Sequence, residues 1–275
     1  MVSEAKEPGS ESGKRSDDRR GVPEGTPQEG EASTPLAAPG SFAAAAMRYP
    51  DSLLAMRLEV GLPGRIEYGR ALAWQEALVA RRLAGGPDAL LLLEHPPVYT
   101  LGRGADPRFL GTAAGDVPVF RAHRGGQVTY HGPGQLVGYP IIGLRAFRPD
   151  VRWYLEMLES VLIGTLADLG IAAGQRAGLR GVWVGERKIA SIGIALRRWV
   201  AWHGFALNVA HDVSGFAPIT PCGITGIEMT SVAREGGPSE MAAVLPVVLD
   251  RFVAAFGYAG WKPLEAHALG GETRP

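Results

Sequence analysis

Cysteine has almost no place in this chain: one, Cys222, stands among 275 residues. A lone thiol forms no internal disulfide, and one thiolate builds no cysteine metal site. Lysine is nearly as scarce. Of 28 basic residues only Lys6, Lys14, Lys188 and Lys262 are lysines. No run of about 18 apolar residues occurs, which excludes a membrane-spanning helix. The N-terminus is polar and acidic and has no apolar stretch of the secretory kind. Formal net charge is zero, which argues against a general nucleic-acid binder. With so little cysteine, a reducing compartment is expected, and the protein reads as cytoplasmic. No aromatic residue precedes Phe42, and residues 1–45 are rich in Gly, Pro, Ser and Glu. That composition predicts a disordered tail. The tail holds five basic and eight acidic side chains, which leaves 23 and 20 for residues 46–275, read as one mildly basic domain.

What is present has a mixed periodicity. Leu54 to Val60 reads as a strand. Ile66 to Leu83 has Ala71, Trp74, Leu78 and Leu83 spaced for one buried helical stripe. Ala89 to Glu94, Val98 to Leu101, Val117 to Arg121 and Leu136 to Ile142 read as short strands. Val151 to Leu169 and Met241 to Phe256 read as helices. A meander is expected from Leu179 to Val184, Lys188 to Val200 and His203 to Val209, its first turn at Gly185-Glu186-Arg187. Hairpins with three separated helices predict an α+β domain rather than regular βαβ units.

Three features carry candidate chemistry. Cys222 lies in Thr220-Pro-Cys-Gly-Ile-Thr-Gly226. Proline fixes the backbone before the thiol and glycine removes bulk after it, as a presented nucleophile requires; a buried, inert cysteine is the competing reading. Lys188 is a lysine in a chain that otherwise prefers arginine. Lysine can be deprotonated where arginine cannot, although a lysine that merely covers a hairpin end is also possible. Arg124-Gly-Gly-Gln-Val-Thr-Tyr-His-Gly-Pro-Gly-Gln135 holds four glycines and a proline, reads as a loop, and fits neither a phosphate-binding loop nor a dinucleotide fingerprint. Glycines there would let backbone approach a substrate. His131, His203 and His211 match no zinc spacing, so no metal and no cofactor is expected. His95, before Pro96-Pro97, reads as structural.

Together the segments Arg124 to Gln135, Lys188-Ile-Ala-Ser-Ile-Gly193, His203-Gly-Phe-Ala-Leu-Asn-Val209 and Ile219-Thr-Pro-Cys-Gly-Ile224 resemble the lipoyl(octanoyl) transferase family over residues 50–262. The resemblance implies an α+β fold around a mixed sheet, shared with biotin and lipoate protein ligases. It implies transfer of an octanoyl group from octanoyl-acyl carrier protein to the lysine of lipoyl domains, including those of 2-oxoacid dehydrogenases and glycine cleavage H proteins. The reactive pair falls on Cys222 and Lys188. Substrate-binding positions fall on Arg124, Gly125, Gly126, Gln127, Val128, Thr129, Tyr130 and His131, on Ser191, Ile192 and Gly193, and on Gly204, Phe205 and Ala206. Gly143 stands where the pattern leads one to expect an acidic residue.

A thioester is already activated, so the chemistry needs a nucleophile, a proton carrier and a dry slot. Cys222 would form an octanoyl thioester, and Lys188 would act first as acid and then as base. Two other classes share the fold expectation: an ATP-dependent lipoate or biotin ligase, which needs no nucleophilic cysteine, and a non-catalytic binder of acylated carrier. Arg65, Arg70, Arg81, Arg82, Arg103 and Arg108 are the candidate docking surface for an acidic carrier.

Overall fold

The computed structural model describes residues 56–111, 115–220 and 226–269. The candidate tail, residues 1–45, and Cys222 lie outside them. Eight strands form one sheet, in the order β11-β1-β2-β6-β10-β9-β8-β7: Gly260–Pro263, Arg57–Arg65, Ala89–Glu94, Gln135–Gly143, Val200–Asn208, Arg187–Arg197, Leu179–Val184 and Gly174–Arg176. The β11–β1 and β1–β2 pairs are parallel, and every other pair is antiparallel. A second sheet sets β3 (Val98–Leu101) between β4 (Val119–Arg121) and β5 (Val128–His131).

Helices cover both faces of the large sheet, and strand alternation assigns the side chains. Leu90 and Leu92 of β2 join a core with Leu158 and Leu162 of α2 (Val151–Asp168) and Phe252 and Phe256 of α3 (Met241–Phe256). Leu91 and Leu93 turn the other way, toward Leu78 of α1 (Tyr68–Leu83) and Tyr139 and Ala206 of the sheet. Asp150 caps α2 by accepting the Trp153 N–H at 3.1 Å, and Gly257 at φ 70° ends α3 in a left-handed cap. The fold is thus α+β, as the periodicity predicted, with the mixed sheet that the resemblance implied.

Boundaries differ where long-range pairing overrides local pattern. Helix α1 starts at Tyr68 rather than Ile66, because the Ile66 N–H is held by the Glu94 carbonyl at 2.9 Å and still belongs to the β1–β2 edge. Strand β1 runs on past Val60 to Arg65 through an irregular register between Gly61 and Gly64. Strand β9 stops at Arg197, since Arg198 and Trp199 turn the chain with φ of 50° and 68°. Neither is a glycine or asparagine, so the turn carries no signal in the sequence. At Gly143 the Arg82 guanidinium fills the space a side chain would take, and the N–H reaches Asp88 Oδ1 at 2.8 Å. The neighbouring carboxylate therefore comes from Asp88.

Candidate active site

The large sheet opens between β8 and β9. Pairing runs from Val184↔Arg187 to Val182↔Ala190 and goes no further. Beyond that point Ser191, Ile192 and Gly193 line a cavity of ≈ 620 Å³ together with Gly204, Phe205 and Ala206 of β10. Arg124, Gly125, Gly126 and Gln127 form a facing wall, continued by Val128, Thr129 and His131. The structure therefore brings most of the candidate substrate-binding positions to one cavity, with Lys188 in the same lining.

Tyr130 is placed elsewhere. The segment expected to be loop contains strand β5, whose alternation turns Tyr130 to the opposite side from its neighbours. There its ring lies 5.1 Å from Tyr99 and 5.4 Å from His211. Sequence reasoning also passed over Tyr68, Tyr139, Trp183, Leu155 and Arg180, all of which line the cavity. They come from α1, β6, β8 and α2, and no local motif joins them.

Arg124 builds the wall. Its guanidinium donates to Thr100 Oγ1 and Thr100 O at 2.7 Å each, and to Gly125 O and Gln127 O at 3.0 Å each. The Gly125 N–H then reaches across to Ile194 O of β9 at 2.9 Å, tying the wall to the open edge. A planar fork of donors can satisfy carbonyls in several directions at once.

The buried histidines at and behind the cavity wall are neutral. Burial pushes His95 down to about 4 and His203 to about 3, and holds His131 well below the usual imidazole range. His95 Nδ1 donates to Ile66 O at 2.6 Å, which leaves Nε2 to accept the Tyr139 hydroxyl at 2.7 Å. His131 Nδ1 donates to Gln135 Oε1 at 2.7 Å, Gln135 Nε2 donates to Asn208 Oδ1 at 2.9 Å, and Asn208 Nδ2 donates to Thr230 O at 2.8 Å. This relay runs from the cavity wall to the segment after residue 226. No group of three His, Asp or Glu side chains suited to a metal gathers among the described residues.

Lys188 is 2% exposed. Its Nζ lies 5.3 Å from the centre of the Trp183 ring. Its N–H donates to Glu228 O at 2.8 Å, and its carbonyl accepts the Thr230 N–H at 2.9 Å. The chain just beyond Cys222 is thus clamped onto the lysine's own backbone. Cys222 itself is not described, but its flanks are anchored: the Thr220 N–H donates to Phe109 O at 2.9 Å, and Ile227 lines the cavity.

Of the six arginines considered for docking, Arg65, Arg81, Arg82 and Arg108 are engaged with Glu94, Glu59, Asp88 and Asp106. Arg70 lies over Trp74, and Arg103 lines the cavity.

Residues 67–253 match the model of the lipoyl protein ligase A/B catalytic domain. An octanoyltransferase of Gloeobacter violaceus is 51% identical over 197 residues, covering 71% of this chain and 88% of that protein. One of Solibacter usitatus is 52% identical over 201 residues, covering 70% and 88%. Among solved structures, a putative lipoate protein ligase from Thermoplasma acidophilum superposes with a TM-score of 0.66 at 16% identity, covering 78% of this chain and 92% of that one. At that identity the likeness concerns the fold.

Proposed function

Because the chain belongs to the lipoyl protein ligase A/B catalytic domain family, we propose that it moves an octanoyl group from acyl carrier protein to the lysine of a lipoyl domain through a thioester on Cys222. The observation that carries this reading is Lys188, buried in the wall of an apolar cavity and bonded through its backbone to the segment that follows Cys222. Cys222 stands five residues before Ile227, a cavity-lining residue, and five residues span at most about 17 Å. The thiol is therefore within the chain's reach of the lysine. The catalytic domain is assigned to residues 46–275, with residues 1–45 a separate tail. The proposed reaction uses neither metal nor cofactor, and the single cysteine favours a cytoplasmic setting. Among the described residues no helix is long and apolar enough to cross a membrane.

The thiolate of Cys222 attacks the donor's carbonyl carbon, and the carrier's sulfur leaves, taking a proton from Lys188. The acceptor lysine's amine then attacks the acyl-cysteine. Lys188 takes the amine's proton, the C–S bond breaks, and the products are an amide and a regenerated thiolate. A thiolate is the nucleophilic form, and a nearby ammonium stabilises it. The apolar part of the lining, including Val137, Leu155, Ile192 and Phe205, suits an alkyl chain: an octanoyl group buries six methylenes more than acetyl, worth about 5 kcal/mol.

Mixing the protein with octanoyl carrier protein and no acceptor should yield one octanoyl adduct by intact mass, absent in Cys222→Ser. Lys188→Arg should fold normally and lose nearly all turnover, since arginine keeps the charge but cannot shuttle a proton. Full activity in Lys188→Arg would refute its role. Modification of a lipoyl domain with free octanoate and ATP, but not with octanoyl carrier, would favour the ligase reading.

A further inference from the structure

Glu159 is 2% exposed, on α2 beside the buried Leu158 and Leu162. Burying a carboxylate among such neighbours is unfavourable unless it accepts hydrogen bonds. Glu159 accepts two: Gln175 Nε2 at 2.7 Å on one oxygen and the buried N–H of Gly181 at 3.1 Å on the other. Arg180 stands 3.6 Å away. The reaction proposed above does not use this group.

Gly181 has φ 115°, a conformation side chains rarely adopt. It sits just before the register shift at which β8 leaves β9. Its bare Cα faces the end of the lysine: a Cβ there would lie 2.7 Å from Lys188 Cε and 3.2 Å from Nζ, and would also run into Ala190 O. Without Glu159 the Gly181 N–H would be buried with no acceptor in the helix behind it. The strand would then be drawn back toward ordinary pairing geometry, into the space the ammonium occupies.

We infer that Glu159 is the positioning residue of Lys188, acting through Gly181: the helix carboxylate holds the strand in its left-handed bend, and the bend keeps open the seat of the Lys188 amine. This rests on the reading that Lys188 is the proton carrier. The geometric claim is separable from it, because the seat exists whatever the lysine does there.

The test follows the amine itself. Full-length protein labelled with ε-¹³C lysine gives only four lysine signals, and Lys188→Arg assigns the one of interest. In the wild type this signal should stand apart from the others, displaced by the Trp183 ring. Glu159→Leu fills the same volume without an acceptor. It should move the Lys188 signal toward that of the exposed Lys262 and lower kcat by about 10- to 100-fold, with KM nearly unchanged. Glu159→Gln keeps an acceptor oxygen and should retain both signal and kcat. Should Glu159→Leu fail to fold, Glu159→Asp, one methylene short of Gly181, should give a smaller displacement in the same direction. A folded Leu or Asp variant with the Lys188 signal unmoved overturns the proposal, as does a Gln variant as impaired as Leu. If the wild type transfers no octanoyl group, the function assignment fails while the signal still reports on the seat.

Discussion

Acidification from pH 8 to pH 5 should lower the stability of the folded domain by about 4 kcal/mol through two imidazoles alone. His95 and His203 are 0% and 2% exposed. Burial is the main reason that they titrate at about 4 and about 3 rather than near 6.5. Their folded values are depressed, so their contribution is complete above pH 6.5 and disappears as the pH falls toward 4 and 3. At pH 5 an unfolded chain has protonated both rings and the folded chain neither. That difference of 1.5 pH units is worth about 2 kcal/mol per ring. His131, depressed chiefly by burial, adds to the loss. Glu159 works the other way: burial raises its carboxyl, so protonating it in acid relieves part of the cost. Urea unfolding at pH 8, 6.5 and 5 measures the effect, and near pH 5.5 unfolding should take up about two protons or more. His203→Asn suits the left-handed backbone at this position, φ 56°, and should remove about half of the two-ring dependence. Equal stability at pH 8 and pH 5, or uptake of less than one proton, would refute the neutral-histidine account.

Two further outcomes follow from buried polar contacts. Asp88→Ala should lower stability by about 3–5 kcal/mol in urea titration, because Arg82, the Gly143 N–H and the Tyr258 hydroxyl all lose their acceptor. Arg124→Lys should cost about 2–4 kcal/mol and raise KM for the acyl donor more than it lowers kcat, since an ammonium cannot bridge Thr100, Gly125 and Gln127 together. An unchanged KM with a lowered kcat would place Arg124 in the chemistry rather than in the wall.

The sequence made the helices and central strands legible because each buries a continuous apolar stripe. Leu78, Leu158 and Phe252 declare their faces by spacing alone. The edges were not legible. Strand β11, four residues ending in Pro263, exists because β1 lies beside it, and β7, of three residues, because β8 does. Glycines in the 124–135 segment hid the four residues of β5, and with them the alternation that turns Tyr130 away. The cavity's glycine-rich walls were readable as motifs. Glu159 and Gly181 were not, since one looks like an ordinary helix position and the other like a hairpin glycine until the glycine is seen bonded to the carboxylate and facing the lysine.

The two margins of the large sheet leave little for another chain to grip. One is three residues long. The other is four and closes with an imino acid that has no hydrogen to give. Strand-by-strand growth, the usual route from a wide sheet to fibrils, therefore finds no template of useful length at either described border. At those two borders the eight-stranded sheet offers copies of the chain little to pair with.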